Sequence, residues 1–115
     1  MENITVIPAN KFENNNGFIG ANFIRQFSVP AGGELQGHKH LIDHITYLAK
    51  GRVVITLDGG QQLDVSAPNF INVQADVLHH FKVVDDSVWY CIFSEAEAKN
   101  VLESDHEIYM QARSV

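Results

Sequence analysis

An antiparallel all-β sandwich or barrel is the architecture that this 115-residue sequence predicts. Short runs of β-branched and aromatic residues recur along the chain. Turn signals separate them at roughly ten-residue spacing. One of those signals, Asp58-Gly59-Gly60, is a strong hairpin marker. With 45% apolar residues, the length suits one folded domain over residues 1–115 with a single core.

The elements follow in chain order. Ile4 to Pro8 is β-branched and ends at a proline, which predicts a short edge strand. Asn14-Asn15-Asn16-Gly17 predicts a turn, because Asn and Gly tolerate positive φ. Phe18 to Val29 predicts a strand, or two strands broken near Gly20. Pro30 to Gly33 is a turn whose glycines let the backbone bend sharply. His44 to Ala49 is strand-like and Lys50-Gly51 closes it. Val53 to Leu57 is the clearest strand, and Gln61 to Val65 is its return across the hairpin. Ala67-Pro68-Asn69 predicts a turn, and Phe70 to Val73 is short and apolar. His79 to Val84 and Val88 to Phe93 are strands on either side of an Asp85-Asp86-Ser87 turn. Ser94-Glu95-Ala96-Glu97 then has the capping-box pattern. It predicts a helix from about 95 to 103 inside a tail of residues 94–112. That helix would either close one end of the barrel or serve a dimer.

Composition narrows the partners. The net charge is −6, from 8 basic and 14 acidic residues. No Lys/Arg cluster interrupts that balance, so nucleic acid and anionic membrane surfaces are excluded as expected partners. Apolar runs extend over only a few residues, too short to span a bilayer. Met1 to Thr5 has neither the basic nor the apolar region of a signal peptide, and a single cysteine, Cys91, gives no internal disulfide. A cytoplasmic protein is the expectation.

The stretch from Gly32 to Gly51 carries the chemistry. His38, His40 and His44 fall within seven consecutive residues, and His79 stands at the head of a later strand. Residues two apart on a strand share a face, so His38 and His40 can converge on one object. His44 rejoins that face if the chain stays extended. Imidazoles gathered from several strands suit a divalent transition metal.

In these motifs the sequence resembles the cupins. Their first motif reads G-x5-H-x-H-x3-4-E-x6-G. Gly32, His38, His40, position 44 and Gly51 fall on that spacing, with His in place of the usual Glu at 44. The second motif, P-x-G-x2-H-x3-N, survives only in His79 of the segment Gln74 to His79. The resemblance covers about the middle half of the chain. It implies a jelly-roll barrel of antiparallel strands. It also implies a metal held by His38, His40, His44 and His79, with Fe, Ni, Mn, Cu or Zn as candidates, and a homodimer exchanging an edge strand, for which Ile4 to Ile7 is the candidate. The other role open to His44 is that of an acid or base beside the metal.

Other residues have plainer expectations. His80 points away from His79, Lys39 and Asp43 point outward, and His106 is a surface residue of the tail. Thr46, Leu48, Phe81 and Val83 share the inward face. In the last strand either Trp89, Cys91 and Phe93 or Tyr90 and Ile92 face in. Arg25 is either solvent-exposed or an anchor for a ligand carboxylate inside the barrel.

Three functions compete. One, implied by the resemblance, is a small metalloenzyme, dioxygenase-like or an isomerase or lyase, acting on an oxygen-donating organic substrate. The second is a non-catalytic small-molecule or sensory module. The third is a closed structural metal site. No Ser-His-Asp spacing, phosphate-binding glycine loop or paired carboxylates favour another chemistry.

Overall fold

The computed structural model describes residues 4–12, 14–35, 44–73, 79–95 and 97. Its strands are β1 (Asn16–Ile19), β2 (Asn22–Val29), β3 (Glu34–Leu35), β4 (His44–Leu57), β5 (Gln62–Ser66), β6 (Asn69–Val73) and β7 (His79–Ser94). All pairings are antiparallel, in the order β1-β2-β7-β4-β5, with β3 added on β7 and β6 on β4.

Two long strands organise the rest. On the sequence alone, Lys50-Gly51 and Asp85-Asp86-Ser87 mark turns that end one strand and begin another. In the structure β4 and β7 run through both places unbroken. They bend instead: their mutual register shifts between Leu48 and Lys50, between Lys50 and Arg52, and between Arg52 and Val53. Extra residues of this kind kink a strand while leaving its pairing on either side intact. Phe81 and Trp89 show how far the bend goes. Eight residues of straight strand would separate them by about 26 Å. Their ring centroids are 5.3 Å apart, so β7 doubles back on itself.

Two walls result. The first half of β4 and the last half of β7 pair with β6 and β2, and β1 extends that wall. The last half of β4 and the first half of β7 pair with β5 and β3 to make the other. Phe23, Leu48, Trp89, Cys91 and Phe93 from one wall meet Val53, Ile55, Phe81 and Val83 from the other in the core.

The corner is tightly packed. Gly51 has φ +95°, and a Cβ there would run into the Ser87 hydroxyl and the Asp86 carbonyl. Ser87 is fully buried, and its Oγ donates to the Asp85 carbonyl at 2.7 Å. The Asp86 carboxylate accepts from the Ala31 backbone N–H at 2.8 Å. This ties the turn after β2 to the bend of β7.

Two other expectations change. Ile4 to Pro8 forms no strand and leads into a 3-10 turn, Ala9–Phe12. Pro8 supplies no backbone N–H to a ladder, and Ile4 and Val6 remain 80% and 89% exposed. Gly17 lies inside β1, and the positive-φ turn residue is Asn14. The break foreseen near Gly20 is the β1–β2 hairpin, with Gly20 at φ +58°. The capping box is formed: the Ser94 N–H donates to Glu97 Oε1 and the Glu97 N–H donates to Ser94 Oγ, both at 3.1 Å. The tail beyond Glu97 lies outside the described residues.

The corner generates a paired prediction. Gly51→Ala combines positive φ with two steric collisions and should destabilise the fold by about 3 kcal/mol or more. Gly59→Ala also sits at positive φ, but its Cβ meets no atom within 4 Å. It should cost only about 1–2 kcal/mol. Urea unfolding of both variants against wild type measures the difference.

Candidate functional site

The inner face of the β1–β2–β7–β4 wall is ordered in transverse rungs, because paired residues on adjacent antiparallel strands point to the same side. In the first rung Phe18 pairs with Phe23, and Phe23 pairs with Phe93. The buried His44 completes it, its ring stacked on Phe93 at 4.6 Å. In the next rung Asn16 pairs with Arg25, Arg25 with Cys91, and Cys91 with Thr46. In the third Phe27 pairs with Trp89, stacked at 5.5 Å, and Trp89 pairs with Leu48. One polar rung is therefore enclosed between two aromatic ones.

This settles the parity of the last strand. Trp89, Cys91 and Phe93 face in. Tyr90 and Ile92 face out, where with Ile24, Tyr47 and Phe70 they help line an apolar groove of about 280 Å³ that reaches Phe12. The expected inward face of Thr46, Leu48, Phe81 and Val83 is observed. His80 carries its imidazole 3.8 Å from the Glu34 carboxylate on the neighbouring strand β3.

His44 begins β4, and His79 pairs with Leu57 at the end of β4. In sequence these are the two extremes of one strand. The bend at Gly51 returns the second half along the first, so both histidines arrive at the same end of the barrel on opposite walls. Each lies on its strand's inward face: His44 alternates with buried Thr46 and Leu48, and His79 with buried Phe81 and Val83. His79 is half-buried, 5.8 Å edge-on from the Phe81 ring. Two imidazoles on facing walls are a donor pair of the kind a divalent transition metal takes. Among the described residues no group of three or more His, Cys, Asp or Glu side chains gathers at one point. His38 and His40, the other two expected ligands, lie outside the described residues, as do Lys39, Asp43 and His106.

The described barrel interior holds a charge and a thiol. Arg25 is half-buried, between inward Phe23 and Phe27, with its guanidinium carbon 5.4 Å from the centre of the Phe27 ring. Of the two positions open to it, this is the inner one. Cys91 Sγ lies 3.5 Å from Thr46 Oγ1. Burial pushes the Cys91 thiol up, and the Thr46 hydroxyl and the Arg25 charge offset this only in part. Asn16 is the residue that sequence reasoning placed elsewhere. Its run of three asparagines before glycine reads as a turn, and nothing in the composition marks the third as a buried wall residue.

No protein-family model matches the sequence, and no curated relative does. Solved structures do resemble it. An RmlC-like cupin with a double-stranded β-helix fold from Methanocaldococcus jannaschii superposes with a TM-score of 0.63. It is 12% identical, covering 86% of this chain and 95% of its own. The chain has the cupin fold. A cupin-superfamily protein from Desulfitobacterium hafniense gives 0.60 at 20% identity, over 68% of this chain and 71% of that one. An RmlC-like cupin from Desulfovibrio desulfuricans gives 0.62 at 17%, over 83% and 97%. Identities this low carry the fold and leave the chemistry to the site. In this fold β4 and β7 each contribute to both walls, which puts His44 and His79 at the same end of the barrel.

The thiol gives a pH prediction. A folded-state value above the ordinary 9.0 means that Cys91 adds stability below about pH 9, and that this is lost as pH rises toward the folded value. Native protein at pH 8 should resist alkylation by iodoacetamide, while urea-unfolded protein reacts fully. Mass spectrometry of both samples checks it, and rapid native labelling would show that Cys91 is exposed and ionised.

Proposed function

We propose that this chain is a metal-dependent cupin that binds a small oxygen-donating organic ligand at a centre built from His38, His40, His44 and His79. One observation supports it above the others. His44 and His79 are 35 residues apart in sequence, yet they come to the inner faces of the same end of the barrel. Packing alone offers little reason to place two imidazoles there rather than two more apolar residues.

A bound divalent metal supplies Lewis acidity toward an oxygen ligand. The residues of the chain do the remaining work. Stacking on Phe93 fixes the plane of the His44 ring. Phe81 beside His79 limits the approach of water from that wall. Phe27, Trp89 and Leu48 close the interior behind the polar rung. Thr46 and Cys91 are neutral, so neither opposes an anionic ligand. An all-His set leaves the charge of a divalent ion uncompensated, which favours an anionic, oxygen-donating substrate. With iron the reading is a dioxygenase; with a redox-silent metal it is an isomerase or lyase. It includes a homodimer, in which a second subunit covers the exposed Ile4 and Val6. No helix among the described residues is long and apolar enough to cross a membrane.

Elemental analysis of protein purified without added metal or chelator tests this proposal. Wild type and His80→Ala should each carry about one divalent transition metal per chain. His44→Ala and His79→Ala should lose it, with affinity falling by more than the roughly 10- to 100-fold that removal of an outer partner costs. Wild type with no metal, and none taken up on titration, would overturn the metal centre and leave a ligand-binding barrel.

A further inference from the structure

Asn16 and Arg25 face each other across the β1–β2 pair, on the inner face of the wall. We propose that they form a carboxylate-binding subsite, which rests on the reading of the barrel interior as the ligand pocket and specifies the ligand class. Two separate observations support it.

The first is the state of the guanidinium. Arg25 is half-buried, beside an aromatic face, Phe27, and a thiol, Cys91. Among the described residues no carboxylate pairs with it. Arg52, which is exposed, shows the contrast: its Nε and Nη2 both reach the Asp64 carboxylate, at 2.9 and 2.6 Å. A cation withdrawn from water needs a counter-charge, and an aromatic face supplies only part of one. The guanidinium fork matches a carboxylate with two parallel N–H···O bonds.

The second is Asn16. The residue is only 8% exposed, and its Oδ1 is buried with no hydrogen-bond partner among the described residues. A buried amide left unmatched is costly, and ligand binding is one way to satisfy it. Oδ1 and Nδ2 exchange places by a flip that leaves the shape of the amide unchanged. With Nδ2 turned in, Asn16 donates to the same carboxylate that Arg25 binds. With Oδ1 turned in, it accepts from a hydroxyl beside that carboxylate.

The rung also sets the direction of the ligand. Arg25 is one inward step along the wall from the His44 rung and two strands across from β4, so the two Cα atoms are roughly 12 Å apart. A small organic acid anchored by its carboxylate at Arg25 extends its other oxygen atoms toward the end of the barrel that holds His44 and His79. The apolar Phe27–Trp89–Leu48 rung behind Arg25 offers no partner to a second charged group, so the fit at this end is to a single carboxylate rather than to a phosphate-rich ligand.

Trp89 is the single tryptophan of the chain and lies in the rung beside Arg25. Its indole N–H resonance reports on this wall. Lactate and propionate, each paired with its neutral amide, are titrated into wild type, Arg25→Gln, Arg25→Lys and Asn16→Ala. Metal content is measured on the same samples, and urea midpoints show which variants are folded. Saturable shifts of the indole resonance with both acids at millimolar concentration are expected, and at least tenfold weaker shifts with the amides. Arg25→Gln should lose at least tenfold in acid affinity at unchanged metal content, and Arg25→Lys should recover part of it because it keeps the charge without the fork. Asn16→Ala should weaken the acids less than Arg25→Gln does. If Arg25→Gln does not fold, a drop in acid affinity in Arg25→Lys supports the subsite and no drop overturns it. Equal acid binding in wild type and the Arg25 variants, or no response to any probe, overturns it even where metal is present. Arg25-dependent acid binding in protein that takes up no metal upholds the subsite and overturns the metal centre instead.

Discussion

The contact of Gly51 with Asp86 and Ser87 is the constraint on which the barrel depends. Two strands of 14 and 16 residues can lie flat as one long ribbon or fold over to make two walls. Folding requires their bends to coincide, and close packing at the coincidence requires a residue without a Cβ on one side and a small buried one on the other. Gly51 and Ser87 meet that requirement. The main placements of the fold follow from it: Phe81 against Trp89, the shared core, and His44 at the start of β4 brought to the same end as His79, the partner of Leu57 at its finish.

The sequence made much of this legible, and the reason is periodicity. Alternation places Thr46 and Leu48 with His44, and Phe81 and Val83 with His79, whatever the tertiary fold. The hairpin at Asp58-Gly59-Gly60 and the capping box at Ser94 are local chemistry, and both are found. What local signals cannot distinguish is a bend from an end. Lys50-Gly51 and Asp85-Asp86-Ser87 carry turn residues in either case, and only the pairing of neighbouring strands shows the chain continuing. The N-terminal segment is the reverse case. Ile4 to Pro8 has strand propensity but takes no partner strand, and β propensity is mostly a preference for a pleated, packed surface.

The last strand was ambiguous for a physical reason. Trp89, Cys91 and Phe93 fill the core, while Tyr90 and Ile92 meet other apolar side chains in the outer groove near Phe12. Both faces of β7 are therefore apolar, and alternation carries no sign where both sides are covered. The candidate site shows a second limit. The histidines were visible because imidazole is rare and the spacing is tight. Asn16 was invisible because asparagine before glycine is commonly a turn, and only the β1–β2 register turns it toward Arg25.

The two parts of the interior make complementary electrostatic sense. The divalent ion proposed at the histidines and the Arg25 guanidinium, which pairs with no carboxylate among the described residues, would both be positive in an interior whose other side chains are uncharged. The protein as a whole carries a charge of −6, so this interior is set against its surroundings rather than matching them. Positive groups in a dry interior raise each other's cost unless an anion enters between them. In the proposed site a small carboxylate with a second oxygen donor would meet both needs at once, one end at the fork and the other at the metal. On the proposed reading, that coupling makes the charge of the ligand, more than its shape, the property the barrel selects.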